Sequence, residues 1–287
     1  MLEENIEGIS RRPVAECTAA EVADALTRSF EGYVMPVNVD AQGYEHRFRP
    51  ENVDPFASYV YFRESRPVAL ILIARRGWTS RVAAMAVVPE VRGSGVGKRI
   101  IQRAVREAIA RGDRSMLLEV FEHNTPAVNL YKGQDFKPVR RLVGYHHEPG
   151  GAPPDAADKL SGLDPLDFAR VVAREGESAL PWMLAAETLS GAVSPARSFH
   201  LDHRAYALIG DPAADVLSLT ALVVPRGYRR NGWGTRLMLA LFTMFQDHAW
   251  FISQIVPEEL APEFFARCGW ESQDTNQLEM VLDLSQT

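Results

Sequence analysis

The chain has 287 residues, 46% hydrophobic and 24% charged, which is enough to build a packed core and leaves room for two domains. A net charge of −6 argues against a nucleic-acid groove, which needs a basic field, and leaves open a cationic or amine-bearing substrate. Cys17 and Cys268 have no metal-ligand spacing, no apolar run nears the ~20 residues of a membrane span, and the acidic Met1–Asn5 has no apolar leader, so a cytoplasmic protein without metal is expected.

Residues 14–17 read as a short strand, after which Thr18 caps a helix whose apolar positions Val22, Leu26 and Phe30 recur every four residues. A Pro- and Gly-containing stretch through Pro36, Gly43 and Pro50 reads as broken helix and loop. Residues 58–62, 67–74 and 81–88 are β-branched and aromatic runs divided by turn signals, the pattern of an antiparallel meander. Then comes Arg92-Gly93-Ser94-Gly95-Val96-Gly97, leading into a helix with an apolar stripe at Ile100, Ile101, Ala104, Val105, Ala108 and Ile109. Gly112 is its natural stop. Residues 115–120 read as a buried strand, 126–131 as a short helix and 139–145 as a closing strand.

A turn-rich stretch from His146 to Pro154 has little to bury and reads as a linker, with His146 and His147 as its solvated residues. Asp164 can cap a helix through Arg174. Strands follow near Phe199 and at 205–210 and 216–224, and then a second glycine loop, Arg229-Arg230-Asn231-Gly232-Trp233-Gly234, opens another helix. A strand at 251–256, a helix at 260–268 and a strand at 278–284 complete the pattern. Gly97 and Gly234 are 137 positions apart (234 − 97), a repeat the size of a whole domain. The expected division is 1–145, a linker at 146–165, and 166–287.

Each loop is a strand, an Arg-x-x-Gly-x-Gly turn and a helix N-terminus, an arrangement that offers unpaired backbone N–H groups to an anion. A P-loop is excluded because positions 92 and 99 are both Arg. A dinucleotide fingerprint is excluded because position 98 is Lys and a meander precedes the loop. The chain resembles the GNAT superfamily of acyl-CoA-dependent N-acetyltransferases in this Arg/Gln-x-x-Gly-x-Gly/Ala loop. Leu118-Glu119-Val120, Asn124, Ala127, Leu130-Tyr131 and Phe136 extend the likeness, especially to protein N-terminal alanine acetyltransferases. The stretches Phe30-Glu31-Gly32-Tyr33 and Arg75-Arg76-Gly77-Trp78 are similar to a bacterial branch of the same superfamily. Asp135 departs from the pattern, standing where a Gly usually precedes the aromatic residue.

The resemblance implies an α+β fold of two tandem GNAT-like domains, each a mixed, mostly antiparallel twisted sheet flanked by helices. It implies acetyl-CoA as co-substrate, held by Arg92, Gly93, Ser94, Gly95, Val96, Gly97 and Lys98, with Asn124 fixing a turn or touching the cofactor. The backbone N–H of Val87 or Val88 is expected to polarise the thioester carbonyl. Lys98 or Arg99 is placed to touch the 3′-phosphate. Tyr131 is implied as the acid beside the sulfur, or else is a buried amphipathic residue. Glu119, twelve residues earlier, is implied as base or water organiser, or else faces outward on a half-exposed strand. Glu122 and His123 are alternative bases. In the second half Phe265 stands in place of Tyr131 and Ser253 in place of Glu119. The spacing from Pro225 to Arg229 suggests an extra loop residue there and a bulged or deformed anion site. Tyr228 and Trp233 either stack on an adenine or simply pack.

The expectation is therefore direct transfer of acetyl to a primary amine, on a small molecule or a peptide N-terminus, by the first domain of a monomer or homodimer with no nucleic-acid or membrane partner. A mycothiol-synthase-like acyltransferase and a non-catalytic acyl-CoA-binding protein are the alternatives.

Overall fold

The structure, a computed structural model, describes residues 8–33, 37–150 and 158–285; Met1–Asn5, Pro36 and the 151–157 part of the expected linker lie outside the described residues. Two compact units emerge. The first comprises Met1–Val120, Asn124–Val139 and Glu279–Thr287, and the second Phe121–His123 and Arg140–Leu278.

In the first unit the expected strand at 14–17 sits earlier, as β1 (Ser10–Pro13), and Val14–Glu16 form a 3-10 turn. Pro13 has no N–H to continue a ladder, so pairing stops there. Helix α1 (Ala19–Ser29) starts as read: Thr18 and Glu21 form a reciprocal capping box, and Val22 and Leu26 are buried. The stretch expected to be mostly loop contains α2 (Ala41–Phe48), capped by the Asp40 carboxylate, which accepts from the Gly43 N–H. Strands β2 (Tyr59–Arg63), β3 (Arg66–Arg76) and β4 (Thr79–Val87) form the antiparallel meander. Helix α3 (Val96–Arg111) ends at left-handed Gly112 and leads to β5 (Ser115–Phe121), which pairs parallel to β4. Helix α4 (Thr125–Lys132) follows.

The second unit takes most of β6 (Lys137–His147), then β7 (Ser161–Leu163), α5 (Pro165–Glu175), α6 (Ala186–Leu189), β8 (Arg197–Leu201), β9 (Ala205–Ile209), β10 (Val216–Val223), α7 (Trp233–Met244), β11 (Ala249–Pro257), α8 (Pro262–Arg267) and β12 (Glu271–Ser272). The last strand, β13 (Gln277–Asp283), contributes Glu279–Asp283 to the first unit, beside β5. The second unit's strands run in the order β7-β8-β9-β10-β11-β6, all antiparallel except the β10–β11 pair.

The divisions differ from the expected 1–145 and 166–287. Residues 140–145 lie with the second unit, and 279–285 with the first. The reason is pairing: Leu142–His147 of β6 bind along β11, a partner about a hundred residues away that local sequence cannot reveal. The same pairing corrects the linker reading of His146 and His147. Both lie in β6, and His147 stacks on Phe242 at 4.0 Å while its Nδ1 meets the Gly269 carbonyl at 2.8 Å.

Each core follows from the apolar periodicity. In the first unit α1 places Val22, Ala25 and Leu26 on Val60, Leu70 and Leu72. Ile100, Ile101, Ala104 and Ala108 form the buried stripe of α3. In the second, Leu237, Met238 and Leu241 of α7 pack in one cluster with Trp250 and Ile252. Each such aliphatic side chain contributes about 1.5–3 kcal/mol of burial free energy.

Candidate active site

The first unit's sheet opens at one place. β4 and β5 pair from Thr79↔Ser115 to Val82↔Leu118 and no further, although β4 runs on to Val87. At the same point the β3–β4 register slips, with Ile73 facing Val82 and Leu72 facing Ala84, so that Ala83 is an extra residue. A bulge bends its strand, and here it turns β4 away from β5. The Val88 N–H donates to the Val68 carbonyl at 3.0 Å, and Val87 faces Ala69 in the next pair. Antiparallel ladders alternate, so the N–H groups of Val87 and Met85 point to the open edge. Val88 is thereby corrected: its amide is used by the sheet, and Met85 joins Val87 as the free edge donor.

The glycine loop continues this edge. Gly93 and Gly95 take φ of 77° and 83°, and Gly95 caps α3 with no side-chain hydrogen bond and no acidic residue in the first turn. The bare N–H groups at this N-terminus carry the positive end of the helix dipole. Ser94 Oγ donates to the Val91 carbonyl at 2.6 Å, and Val96 is buried, while Lys98 is exposed. Arg92 does not reach toward an anion. Its Nε donates to the Val87 carbonyl at 2.9 Å, and Nη2 to the carbonyls of Ser29 and Glu31 at 3.1 and 2.6 Å. It is a strap that ties the loop to the end of α1.

A Cβ on Gly97 would sit 3.7 Å from Val87 Cγ2 and 3.8 Å from Leu130 Cδ2, so β4, α3 and α4 converge there. These are ordinary contacts, and Gly97→Ala should leave the melting temperature nearly unchanged. Gly95→Ala, at φ 83°, should cost about 1–2 kcal/mol of strain and lower it. Equal effects of the two in melting curves would refute this division of labour.

Helix α4 carries Tyr131, which is 6% exposed and in edge contact with Phe136 at 5.9 Å. Burial, and secondarily the nearby Tyr33, push its hydroxyl pKa up, so it stays protonated at neutral pH. Asn124 caps α4 by accepting from the Ala127 N–H at 3.3 Å, and its Nδ2 donates to the Tyr33 hydroxyl at 3.3 Å. Both arms of Asn124 are thus engaged within the protein, and it acts on the turn as one of its expected roles required. Tyr33 is a residue that sequence reasoning placed only in the family likeness, without a role. Asp135 takes φ 64°, the left-handed turn that a glycine would otherwise supply.

Glu119 does not face outward. Its side chain is 7% exposed and accepts from Arg81 Nε at 2.7 Å, while Arg81 Nη1 binds Glu51 Oε2 at 2.5 Å. Arg81 stands opposite Leu117, and Glu119 is two residues on, so both use one face of the sheet. Burial opposes the guanidinium charge, but Glu119 and Glu51 outweigh it and hold the Arg81 pKa above its ordinary value. Glu119 Oε1 is buried without a hydrogen-bond partner. The alternative base Glu122 is exposed and ion-paired to Arg141 at 2.9 Å, and His123 packs on Phe121. The carboxylate–guanidinium cluster was invisible in sequence because Glu51, Arg81 and Glu119 come from three separate segments.

The second unit reproduces the scaffold without the ionisable groups. β10 and β11 pair only from Val216↔Ala249 to Ser218↔Phe251, and the register slips at Thr220, the counterpart of Ala83. This register puts Ser218 at the Arg81 position and Ser253 at the Glu119 position. The expected extra loop residue is absent. Pro225 takes the place of Val88, with φ −55° in both, and single 3-10 turns follow at Arg226–Tyr228 and Pro89–Val91. The proline had suggested a different alignment, but only its φ matters there. Arg230 and Gly232 take φ of 64° and 78°, as Gly93 and Gly95 do, and Arg229 straps to the Val224 and Glu175 carbonyls as Arg92 does to its own. The loop is not deformed. Tyr228 and Trp233 pack with Arg204, which lies over their rings at 5.4 and 4.7 Å.

Among the described residues there is no group of three or more His, Cys, Asp or Glu fit to hold a metal, and no helix is long and apolar enough to cross a membrane. Residues 20–136 match the family model described as Acetyltransferase (GNAT) family. The chain is 33% identical over 72 residues to thialysine N-epsilon-acetyltransferase of Sus scrofa, covering 24% of this chain and 42% of that protein. It is 26% identical over 88 residues to the N-terminal acetyltransferase B complex catalytic subunit naa20 of Schizosaccharomyces pombe, covering 30% and 48%. The chain thus spans under half the length of these curated relatives. Over nearly its whole length it shares the fold of a GCN5-related N-acetyltransferase from Sphaerobacter thermophilus (TM-score 0.68, 14% identity, 97% of this chain and 96% of that one). The same holds for a tandem GNAT protein from the clavulanic acid biosynthesis pathway (TM-score 0.68, 17% identity, 96% and 98%).

Proposed function

We propose that the chain is an N-acetyltransferase of two tandem GNAT-like domains, and that its first unit moves acetyl from acetyl-CoA directly to a primary amine. One observation carries this reading: a single unit joins an open strand edge, a bare helix N-terminus and a buried, protonated tyrosine on α4. Amides of Gly93 to Lys98 would hold the pyrophosphate, and the Val87 or Met85 N–H would polarise the thioester carbonyl. The deprotonated amine attacks the carbonyl carbon, the C–S bond breaks, and the leaving sulfur takes the Tyr131 proton. Glu119 Oε1, the unpartnered oxygen of a carboxylate paired with Arg81, would orient a water that accepts the amine proton. Burial pushes the thiols of Cys17 and Cys268 up, which disfavours a covalent acyl-enzyme and supports direct transfer.

The tandem reading is supported by the repeated bulge, loop dihedrals and arginine strap, and by the likeness to a tandem GNAT protein. The second unit is a degenerate copy, since Phe265 and Ser253 move no protons. The test is CoA thiol release from acetyl-CoA with a panel of lysine-like amines and peptide N-termini. Turnover should rise with pH as the amine deprotonates and show no loss from Tyr131 ionisation up to about pH 10. Absence of thiol release with every amine, in protein that binds acetyl-CoA, would overturn the reading.

A further inference from the structure

In the first unit the turn that follows α1, residues 30–33, is tied to two parts of the site. From one side Arg92 of the glycine loop donates to the carbonyls of Ser29 and Glu31 at 3.1 and 2.6 Å, and its Nε donates to the Val87 carbonyl at 2.9 Å. From the other side Asn124 Nδ2 donates to the Tyr33 hydroxyl at 3.3 Å. The turn between these ties is itself well fixed. The Tyr33 N–H donates to the Phe30 carbonyl at 3.0 Å, and the two rings meet edge-on at 5.1 Å. Gly32 takes φ 67°, a conformation that other residues resist. One short turn thus joins the glycine loop to the start of α4.

Helix α4 has only eight residues, and a helix that short is not stable by itself. Its position is therefore set by its anchors. At the N-terminus Asn124 accepts from the Ala127 N–H while its other arm holds Tyr33, and near the C-terminus Tyr131 packs on Phe136. Tyr131 lies seven residues after Asn124 (131 − 124), about two turns, so the two share one face of the helix. A shift of the cap therefore moves the acid. We propose that Tyr33 is a positioning residue for Tyr131: through Asn124 it fixes where α4 begins, and so where the Tyr131 hydroxyl stands relative to the loop that Arg92 ties to the same turn. Tyr33 also adds to burial in keeping Tyr131 protonated. This inference rests on the reading of Tyr131 as the acid.

The test is a double-mutant cycle on acetyl transfer by the full chain, with amide hydrogen exchange measured on the same proteins. Tyr33→Phe keeps its ring on Phe30, so the melting temperature should shift little. Its kcat should fall about tenfold with the KM for the acceptor amine unchanged, because a misplaced acid slows only the chemical step. In a Tyr131→Phe background the same change should cost nothing further, since no hydroxyl is left to position. Exchange of the Ala127 amide, which Asn124 caps, should quicken roughly threefold or more in Tyr33→Phe. An equal loss of kcat in both backgrounds would overturn the proposal and make Tyr33 a residue of the fold. A higher acceptor KM with kcat intact would also overturn it and make Tyr33 an acceptor contact. Unchanged exchange at Ala127 overturns it whether or not the protein turns over. Quickened exchange in protein that transfers acetyl to no amine would keep the tie from Tyr33 to α4 and remove the acid reading of Tyr131.

Discussion

Tyr131→Phe is expected to lower kcat/KM for acetyl transfer by about 10²-fold or more, equivalent to about 2.7 kcal/mol of transition-state stabilisation. The loss should fall on kcat, with the KM for acetyl-CoA unchanged, because the proposed acid role calls on the hydroxyl only as the sulfur leaves. The ring keeps its contact with Phe136, so thermal unfolding should shift little. Two measurements decide the matter together, steady-state kinetics and a melting curve. A full-speed, normally stable variant would reduce Tyr131 to a packing residue. The second unit carries the same exchange, with Phe265 stacked on Tyr145 at 4.3 Å.

The largest stability effect should come from Arg81. Replacing it with Met removes the ion-pair partner of the buried Glu119 and one partner of the buried Glu51. Removing one partner of a buried ion pair costs about 3–5 kcal/mol, and here a single guanidinium serves two carboxylates. Urea denaturation should show the free energy of unfolding falling by that amount. Adding Glu51→Gln and Glu119→Gln to Arg81→Met should recover much of it, since neither buried carboxylate that lost the guanidinium then carries a charge. If the triple variant is no more stable than Arg81→Met alone, the loss reflects packing of the arginine stem and not electrostatics. Activity separates the roles further: the stabilised triple variant should remain slow, because Glu119 is no longer a carboxylate.

The local elements were largely legible in the residues. Thr18 and Glu21 announce their capping box, Gly112 the end of α3, and the stripe from Ile100 to Ala108 its buried face. Such signals need only neighbours within a few residues. The glycine loop was legible for the same reason, since left-handed φ at Gly93 and Gly95 is a property of the residue itself. Errors arose where a residue's meaning depends on distant partners. Arg92 is expected among the anion ligands, but its side chain donates to the Val87 carbonyl and to the carbonyls of Ser29 and Glu31, from two segments of the chain. Pro225 suggested an inserted loop residue, whereas it fills the extended backbone slot that Val88 occupies in the first copy.

The sequence by itself determined that the chain holds two copies of a strand–glycine loop–helix unit, and that the first is followed by Glu119 and Tyr131 while the second is followed by Ser253 and Phe265. Those are facts of residue identity at fixed spacing. Tertiary structure decided the rest. Ladder alternation left the amides of Val87 and Met85 open and closed that of Val88. Convergence of three segments put Glu119 on Arg81. Strand pairing sent residues 140–147 into the second unit and residues 279–283 of the final strand into the first. Each depends on hydrogen bonds or ion pairs between residues far apart in the chain, and no local pattern of side chains encodes them.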